Sequence, residues 1–322
     1  MKRLYPLFLV WFICTSCKKD TADKIPFKKI ETGIQGKLHV LCALNATTLI
    51  AGGEHHGEGA VILSTTSGNS WKILPARTEG AITALLAIDS VTWYAGTASP
   101  HAYKTMDGGI TWEKLWVNTD YPPNYRKPVR RIVKTNDTTV YFAIGGDFEA
   151  GGIWKTYDGG TTWKAHTFNF ELRDVVFKND DIGYACGYGN MIQTLDGGET
   201  WTYSPCSNAY FMKLHFDNSN NWWSVSFNGG VYSSNDPASG WNEILNAAKV
   251  FSGRKNFNGF YRDDNKSVLF GEKGLLVTGS SSGNNWHEVS CCNENSIRDL
   301  TVSGNHYAAC SRSGEIYLID RN

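Results

Sequence analysis

An excess of charge of either sign is missing from this chain. Lys+Arg and Asp+Glu both number 31, and charged residues are only 19% of the 322 positions. That balance excludes a bulk basic surface, so no nucleic acid is expected among the partners. Long amphipathic helical patterns are also missing. The one apolar run near the start, Leu7–Ile13, is too short to span a bilayer as a mature helix. Outside the leader there is no Cys-x-x-Cys, which leaves a thioredoxin-like activity without support.

What is plentiful is glycine (33) and tryptophan (12), as in an all-β protein with many turns. The stretch Leu172–Trp201, LRDVVFKNDDIGYACGYGNMIQTLDGGETW, reads as three short strands and a tight hairpin closed by Trp201. Its last eight residues match Thr-x-Asp-x-Gly-x-Thr-Trp, and so do Thr105–Trp112 and Thr156–Trp163. An Asp at a turn start accepts backbone N–H groups, a Gly supplies positive φ, and the Trp caps the apolar layer. This is the Asp-box, or bacterial neuraminidase repeat. Asp107, Asp158 and Asp196, with Trp112, Trp163 and Trp201, are accordingly read as structural.

Degraded copies lie at Ser64–Trp71, at Ser234–Trp241 (keeping Asp236 and Trp241) and at Gly279–Trp286, with Thr66 and Ser281 at the first and last Asp positions. The closing tryptophans 71, 112, 163, 201, 241 and 286 are spaced 41, 51, 38, 40 and 45 apart. A period of this length made of short strands is that of a propeller. The two chain ends supply one further blade. Ser296–Ile319 has three strands and no closing hairpin, and Phe27–Thr32 is an outer strand with no repeat before it. Joined, they make a seventh blade and leave the ring without a free edge. The expectation is a single seven-bladed β-propeller over 26–322. Blade three is the longest, through Val117–Pro128 and Gly145–Gly152. Long loops on a rigid scaffold are where binding tends to sit.

The first 17 residues read as a targeting segment, with Lys2 and Arg3 before the apolar run. Cys14-Thr15-Ser16-Cys17 resembles a bacterial lipobox, with Cys14 where Leu is usual. Cleavage before Cys17 and lipidation of its thiol are expected, and residues 18–25 form a polar tether. The leader resembles those of Bacteroidota lipoproteins, which implies export and a lipid anchor in the outer membrane, periplasmic or surface-facing. Removing Lys2 and Arg3 leaves 29 basic against 31 acidic residues.

The whole mature chain resembles the photosystem II stability/assembly factor-like family. The resemblance rests on RDVVFKNDDIGYACGYGNMIQTLDGGETW, on the two other full boxes and on the split last blade. It implies a non-catalytic accessory or assembly protein whose partner is a protein or acidic peptide, acting as a monomer. A glycan partner, or a sialidase-like hydrolase, is the competing reading because sialidases carry the same hairpin. Their Arg-Ile-Pro motif is missing here; the nearest string is Lys24-Ile25-Pro26. A glycosidase also needs two facing carboxylates, and Asp147, Glu149, Glu54, Glu58, Asp174 and Asp299 are the available ones.

Aligning VRRIV, LRDVV and IRDLT puts Arg130, Arg173 and Arg298 at one position, at the upper mouth of the channel. Arg131, Asp174 and Asp299 are next to them. Loops after the second strands add His55, His56, Asp147, Glu149, Tyr188 and Arg312, and the blade-three insertion adds Tyr121, Tyr125 and Arg126. Guanidinium forks suit carboxylates, so these residues are either an acidic-peptide site or arginines paired with their neighbouring Asp. The loop Glu54-His55-His56-Gly57-Glu58 reads as solvated, since adjacent extended histidines point apart; no metal and no cofactor is expected. Cys42, Cys186 and Cys310 are expected as small buried residues on strands. Cys206 is left open, and Cys291-Cys292 could close a vicinal disulfide.

Overall fold

The computed structural model describes residues 23–115, 127–146, 148–206, 209–251, 256–263, 266–292 and 295–321. The leader with Cys17, and the candidates Tyr121, Tyr125, Arg126 and Asp147, lie outside them. The described chain forms seven antiparallel sheets, one per repeat. The fold is a seven-bladed β-propeller. Calling the strands of a blade a to d, the a-strands are Leu38–Ala43, Ile82–Ala87, Val129–Lys134, Asp174–Phe177, Phe211–Phe216, Phe257–Arg262 and Ile297–Ser303. Each a-strand touches those of both neighbouring blades, and the seventh touches the first. They therefore line the axis. The b-strands are buried along their length, as in Trp93–Thr97 and Gly183–Gly187. Covered on both faces by neighbouring blades, they read as continuous apolar or small runs.

The core lies between blades. Tyr94 of blade two, for example, packs in one cluster with Phe142 and Trp154 of blade three. The ring closes as expected: Phe27–Ile30 pairs antiparallel with Ile316–Asp320, with Phe27 opposite Ile319 and Ile30 opposite Ile316. One feature of the N-terminal segment differs from expectation. Asp23–Lys24, read as tether, adds a short parallel strand to His287–Ser290, so blade six has a fifth strand.

The three full hairpins at the lower ends of blades two, three and four share their Thr and Asp bonding, while the closing indole is bonded at Trp112 and Trp163 but not at Trp201 among the described residues. In blade two the Thr105 hydroxyl donates to Asp107 Oδ1 at 2.8 Å and accepts the Gly109 N–H at 2.9 Å. Asp107 Oδ1 accepts from the amides of Ile110 and Thr111, Oδ2 from the Thr111 hydroxyl at 2.6 Å, and the Trp112 indole N–H donates to Gly109 O. Asp158 and Asp196 repeat the set with Thr162 and Thr200. Hydroxyl and amide donors hold all three carboxyls down at about 2.

The degraded copies show what the Asp does. In blade one Thr66 keeps part of it, accepting the Ser70 N–H at 2.9 Å. In blade six Ser281 does not take the Asp role. Ser280 accepts the Asn284 N–H instead, and Arg262 donates to the Ser281 carbonyl. In blade five Asp236 caps a short 3-10 turn, Pro237–Ser239, in place of the hairpin, and the Trp241 indole N–H is left without a partner among the described residues. The shared hairpin is thus altered in blades five and six: Pro237 imposes a different path in blade five, and in blade six Ser281 lacks the carboxylate that gathers the loop amides, although the Trp286 indole still donates to Gly283 O.

Cys186 and Cys310 are fully buried and burial raises both thiols; Cys42 is only partly buried. Cys291 and Cys292 form the vicinal disulfide, and the Cys206 thiol donates to Gly189 O at 2.8 Å.

Candidate functional site

The b–c loops and the d–a connections share the end of the ring opposite the closing hairpins, and the a-strands begin there. In six blades the a–b register slips by one residue at this end, at His39, Thr83, Arg130, Met212, Asn258 and Arg298. Arg173 occupies the same place in blade four, its N–H bonded to Cys186 O just before strand a begins. A bulge re-aims the extra side chain, so one residue from every blade is presented at the mouth. Two of them stitch the ring: Thr83 donates to Val129 O at 2.7 Å and Asn258 to Ile297 O at 2.8 Å, each in the following blade.

The arginines do not pair with their sequence neighbours. Arg130 and Arg173 converge on Glu171, whose residue is 0% exposed. Arg173 Nε is 2.6 Å and Arg130 Nη2 3.3 Å from Glu171 Oε1, and Arg130 Nε also donates to Gly145 O. Glu171 Oε2 accepts the Phe148 N–H at 3.2 Å. Glycines make room for this carboxylate. A Cβ on Gly145 would lie 2.3 Å from Leu172 O and 3.0 Å from Glu171 Cγ, and one on Gly187 would lie 2.1 Å from Glu171 O. Sequence reasoning missed Glu171. Its only signal was an acid inside an apolar stretch, Phe170-Glu171-Leu172, two residues before an aligned Arg.

Asp174 and Asp299 instead hold the ring together. Asp174 accepts the N–H of Val175 and, at 2.9 Å, that of Leu214 in blade five. Asp299 accepts the N–H of Leu300 and, at 3.0 Å, that of Leu41 in blade one. These amides lie on an inner sheet edge, where no strand meets them, and the carboxylates satisfy them. Arg131 comes within 3.4 Å of Asp174 as an ion pair without a hydrogen bond. Arg–Asp adjacency in the sequence is therefore not Arg–Asp pairing, since residues one apart on a strand face opposite ways.

Arg298 and Arg312 make no ion pair and no side-chain hydrogen bond among the described residues. Each lowers the cost of binding an anion, because no carboxylate has to be displaced. Burial, then Arg312, lowers the Arg298 pKa, and Arg173 acts on it in the same direction across the mouth. His39 beside them is pushed down to about 4, chiefly by burial and then by Arg298. It is neutral at pH 7.

His55 and His56 do not point apart as expected. His56 takes φ 51°, which brings the two rings to 4.2 Å, and His55 Nδ1 accepts the Gln35 N–H. No group of three metal-ligating side chains occurs among the described residues. Glu54 pairs with Lys37 at 3.0 Å, while Glu58 and Glu149 are exposed. Tyr188 is on the upper face as expected. It stands between Phe148 and Tyr210, which sequence reasoning did not select.

Comparison with known proteins bears on this geometry. No protein-family model matches the chain. It is 25% identical over 230 residues to "Photosystem II assembly lipoprotein Ycf48" of Synechococcus sp. (strain CC9902), a match that covers 68% of this chain and 65% of that protein. The chain thus spans a little under two thirds of the curated relative it matches. Among solved structures, "YCF48 bound to D1 peptide" aligns with TM-score 0.73 at 15% identity over 94% of this chain and all of that one. Ycf48 from Cyanidioschyzon merolae aligns with TM-score 0.69 at 12% identity, covering 91% and 98%. An ancestral GH74 enzyme aligns with TM-score 0.65 at 14% identity over 92% of this chain but 46% of its own. In sequence, and in its seven-bladed propeller, the chain is similar to the Ycf48 photosystem II assembly protein.

Proposed function

We propose that this protein is a non-catalytic binding and assembly module that holds an acidic segment of a partner protein at the upper mouth of its channel. The observation that carries the reading is the pair Arg298 and Arg312, unpaired among the described residues beside Arg173. Guanidiniums that make no ion pair in a partly dehydrated mouth are suited to carboxylates from outside the chain. The similarity to Ycf48 supports an assembly role, and a relative with a bound peptide supports a protein partner. The Cys14–Cys17 motif supports lipidation of Cys17 and attachment to the outer membrane of an exported protein.

The carboxylates at this mouth do not favour the glycosidase reading. Glu171 is held by two guanidiniums, and Asp174 and Asp299 by backbone amides. A general acid needs a carboxyl free to exchange its proton.

The test is affinity purification of the tagged full chain from its native membrane, with mass spectrometry. Arg298→Ala/Arg312→Ala should stay folded and lose the partner that the parent chain retains. Retention of the same partner by the double variant would remove the mouth from the account. In a separate experiment, Cys17→Ser should abolish fatty-acid labelling and shift the protein to the soluble fraction. Unchanged labelling would contradict the anchor.

A further inference from the structure

Large apolar side chains are mostly buried in this propeller, but four aromatic residues are exposed together on one sector of the upper face. Phe148 (blade three), Tyr188 (blade four), Tyr210 (the connection to blade five) and Phe227 (blade five) are 55%, 45%, 48% and 41% exposed. They are contiguous. The Phe148 and Tyr188 rings are 4.6 Å apart and the Tyr188 and Tyr210 rings 5.5 Å, and the Phe227 N–H donates to Tyr210 O. Exposed aromatic runs of this kind mark contact sites.

Backbone geometry sets how two of the rings are displayed. Phe148 and Tyr188 have φ of 61° and 42°. That region is unfavourable for a bulky side chain and is normally left to Gly or Asn. Tyr188 precedes Gly189, also at positive φ, so Tyr stands where the ordinary turn pair would have Asn. The same left-handed pair recurs at His56-Gly57 and Lys273-Gly274, so the turn is shared by several blades, and what is particular to blade four is the aromatic ring that it displays.

The ridge is also wired to the arginines. The carboxylate that receives Arg130 and Arg173 accepts, through its other oxygen, the N–H of Phe148. Glu171 thus fixes the guanidinium pair and the turn that displays the first ring as one unit.

We propose that Phe148, Tyr188 and Tyr210 form the apolar half of the docking site, so that the ligand is a peptide segment with a large apolar side chain next to a carboxylate. The apolar side chain lies on the ridge while the carboxylate reaches the cations of the mouth. This rests on the acidic-segment reading above and adds to it the second recognition element. Sugar stacking is disfavoured by the rings themselves. They are tilted by 42° and 52° and lean on one another, which makes a continuous ridge rather than a row of parallel platforms. Arg298 and Arg312, which make no ion pair among the described residues at the same mouth, favour a peptide that carries acid as well.

The test uses the purified full chain and a displayed library of random short peptides as the probe. The expected outcome is enrichment of peptides with Phe, Leu, Ile or Trp adjacent to Asp or Glu. Phe148→Asn/Tyr188→Asn removes both rings while suiting the left-handed turns. It should keep its Tm, bind a selected peptide about tenfold or more weakly, and select acidic peptides without the apolar requirement. If the parent chain selects acidic peptides with no apolar preference, or the Asn variant binds unchanged, the ridge proposal is wrong and the acidic-segment reading stands. A variant whose Tm falls in step with its binding would assign the rings to the scaffold. If no acidic peptide is selected, or Arg298→Ala/Arg312→Ala binds the selected peptide as well as the parent does, both readings fail together.

Discussion

The two ends of the ring treat charge in opposite ways. At the lower end Asp107, Asp158 and Asp196 are surrounded by donors from their own eight-residue hairpins, and nothing is left over for a ligand. At the upper end Arg298 and Arg312 make no ion pair among the described residues, and aromatic residues stand exposed at unfavourable backbone angles. Repetition and self-sufficiency go together: a feature copied blade after blade is there to build blades. The upper end differs from blade to blade, and that is where selectivity can reside.

The largest expected effect concerns the frame that both ends share. Removing residues 1–33 deletes Phe27–Ile30, exposes the Ile316–Asp320 edge and uncovers the clusters around Ile30 and Phe27. Aggregation or loss of a cooperative melting transition is expected. A truncated chain as soluble and as stable as one starting at Cys17 would mean that closure is dispensable.

Glu171→Ala should come next. It leaves two guanidiniums and the Phe148 amide without their shared acceptor, and a loss of about 2–4 kcal/mol is expected from denaturant unfolding. Because the same carboxylate orders both halves of the site, binding should fall with it. A Glu171→Ala protein with parental stability would show that the cluster is incidental.

Acid should act in two separate windows, one set by buried histidines and one by the hairpin carboxyls. His39 is pushed down to about 4 from 6.5, and burial also lowers His101, His166 and His215. Between these values the unfolded chain binds protons that the folded one does not, so stability is full above 6.5 and declines as pH falls towards 4. His39→Gln should flatten part of that decline. The hairpin carboxyls, held at about 2 against 3.8, contribute stability that is lost only below about 3.8 as pH falls towards 2. Asp158→Ala should abolish its share of that second window and lower Tm slightly. Melting curves from pH 7 to pH 2 separate the two; a single decline centred near 5 for both variants would contradict the assignment.

Much of the ring was legible in the sequence because its information is local. Thr105 through Trp112 makes its bonds within eight residues, so the motif states its own structure. The split blade was legible because each end lacked what the other supplied. The mouth was only half legible. The alignment found the position of Arg130, Arg173 and Arg298, but not the bulge that re-aims it. Arg130 meets Glu171 from 41 residues away, and no local pattern records that contact. Asp174 and Asp299 looked like partners for the adjacent arginines, yet each reaches an edge amide of the next blade. Phe148 sits in an insertion with no counterpart in other repeats, so there was no register in which to notice it.

The proposed division of labour gives ring-building to the lower end and partner engagement to the upper end. One paired measurement tests it most directly: thermal melting and partner retention of Asp107→Ala/Asp158→Ala/Asp196→Ala beside Arg298→Ala/Arg312→Ala. The account requires the first variant to melt earlier while its folded fraction still retains the partner, and the second to melt like the parent and lose it. A lower-end variant that loses the partner while folded, or an upper-end variant that retains it, would contradict the division.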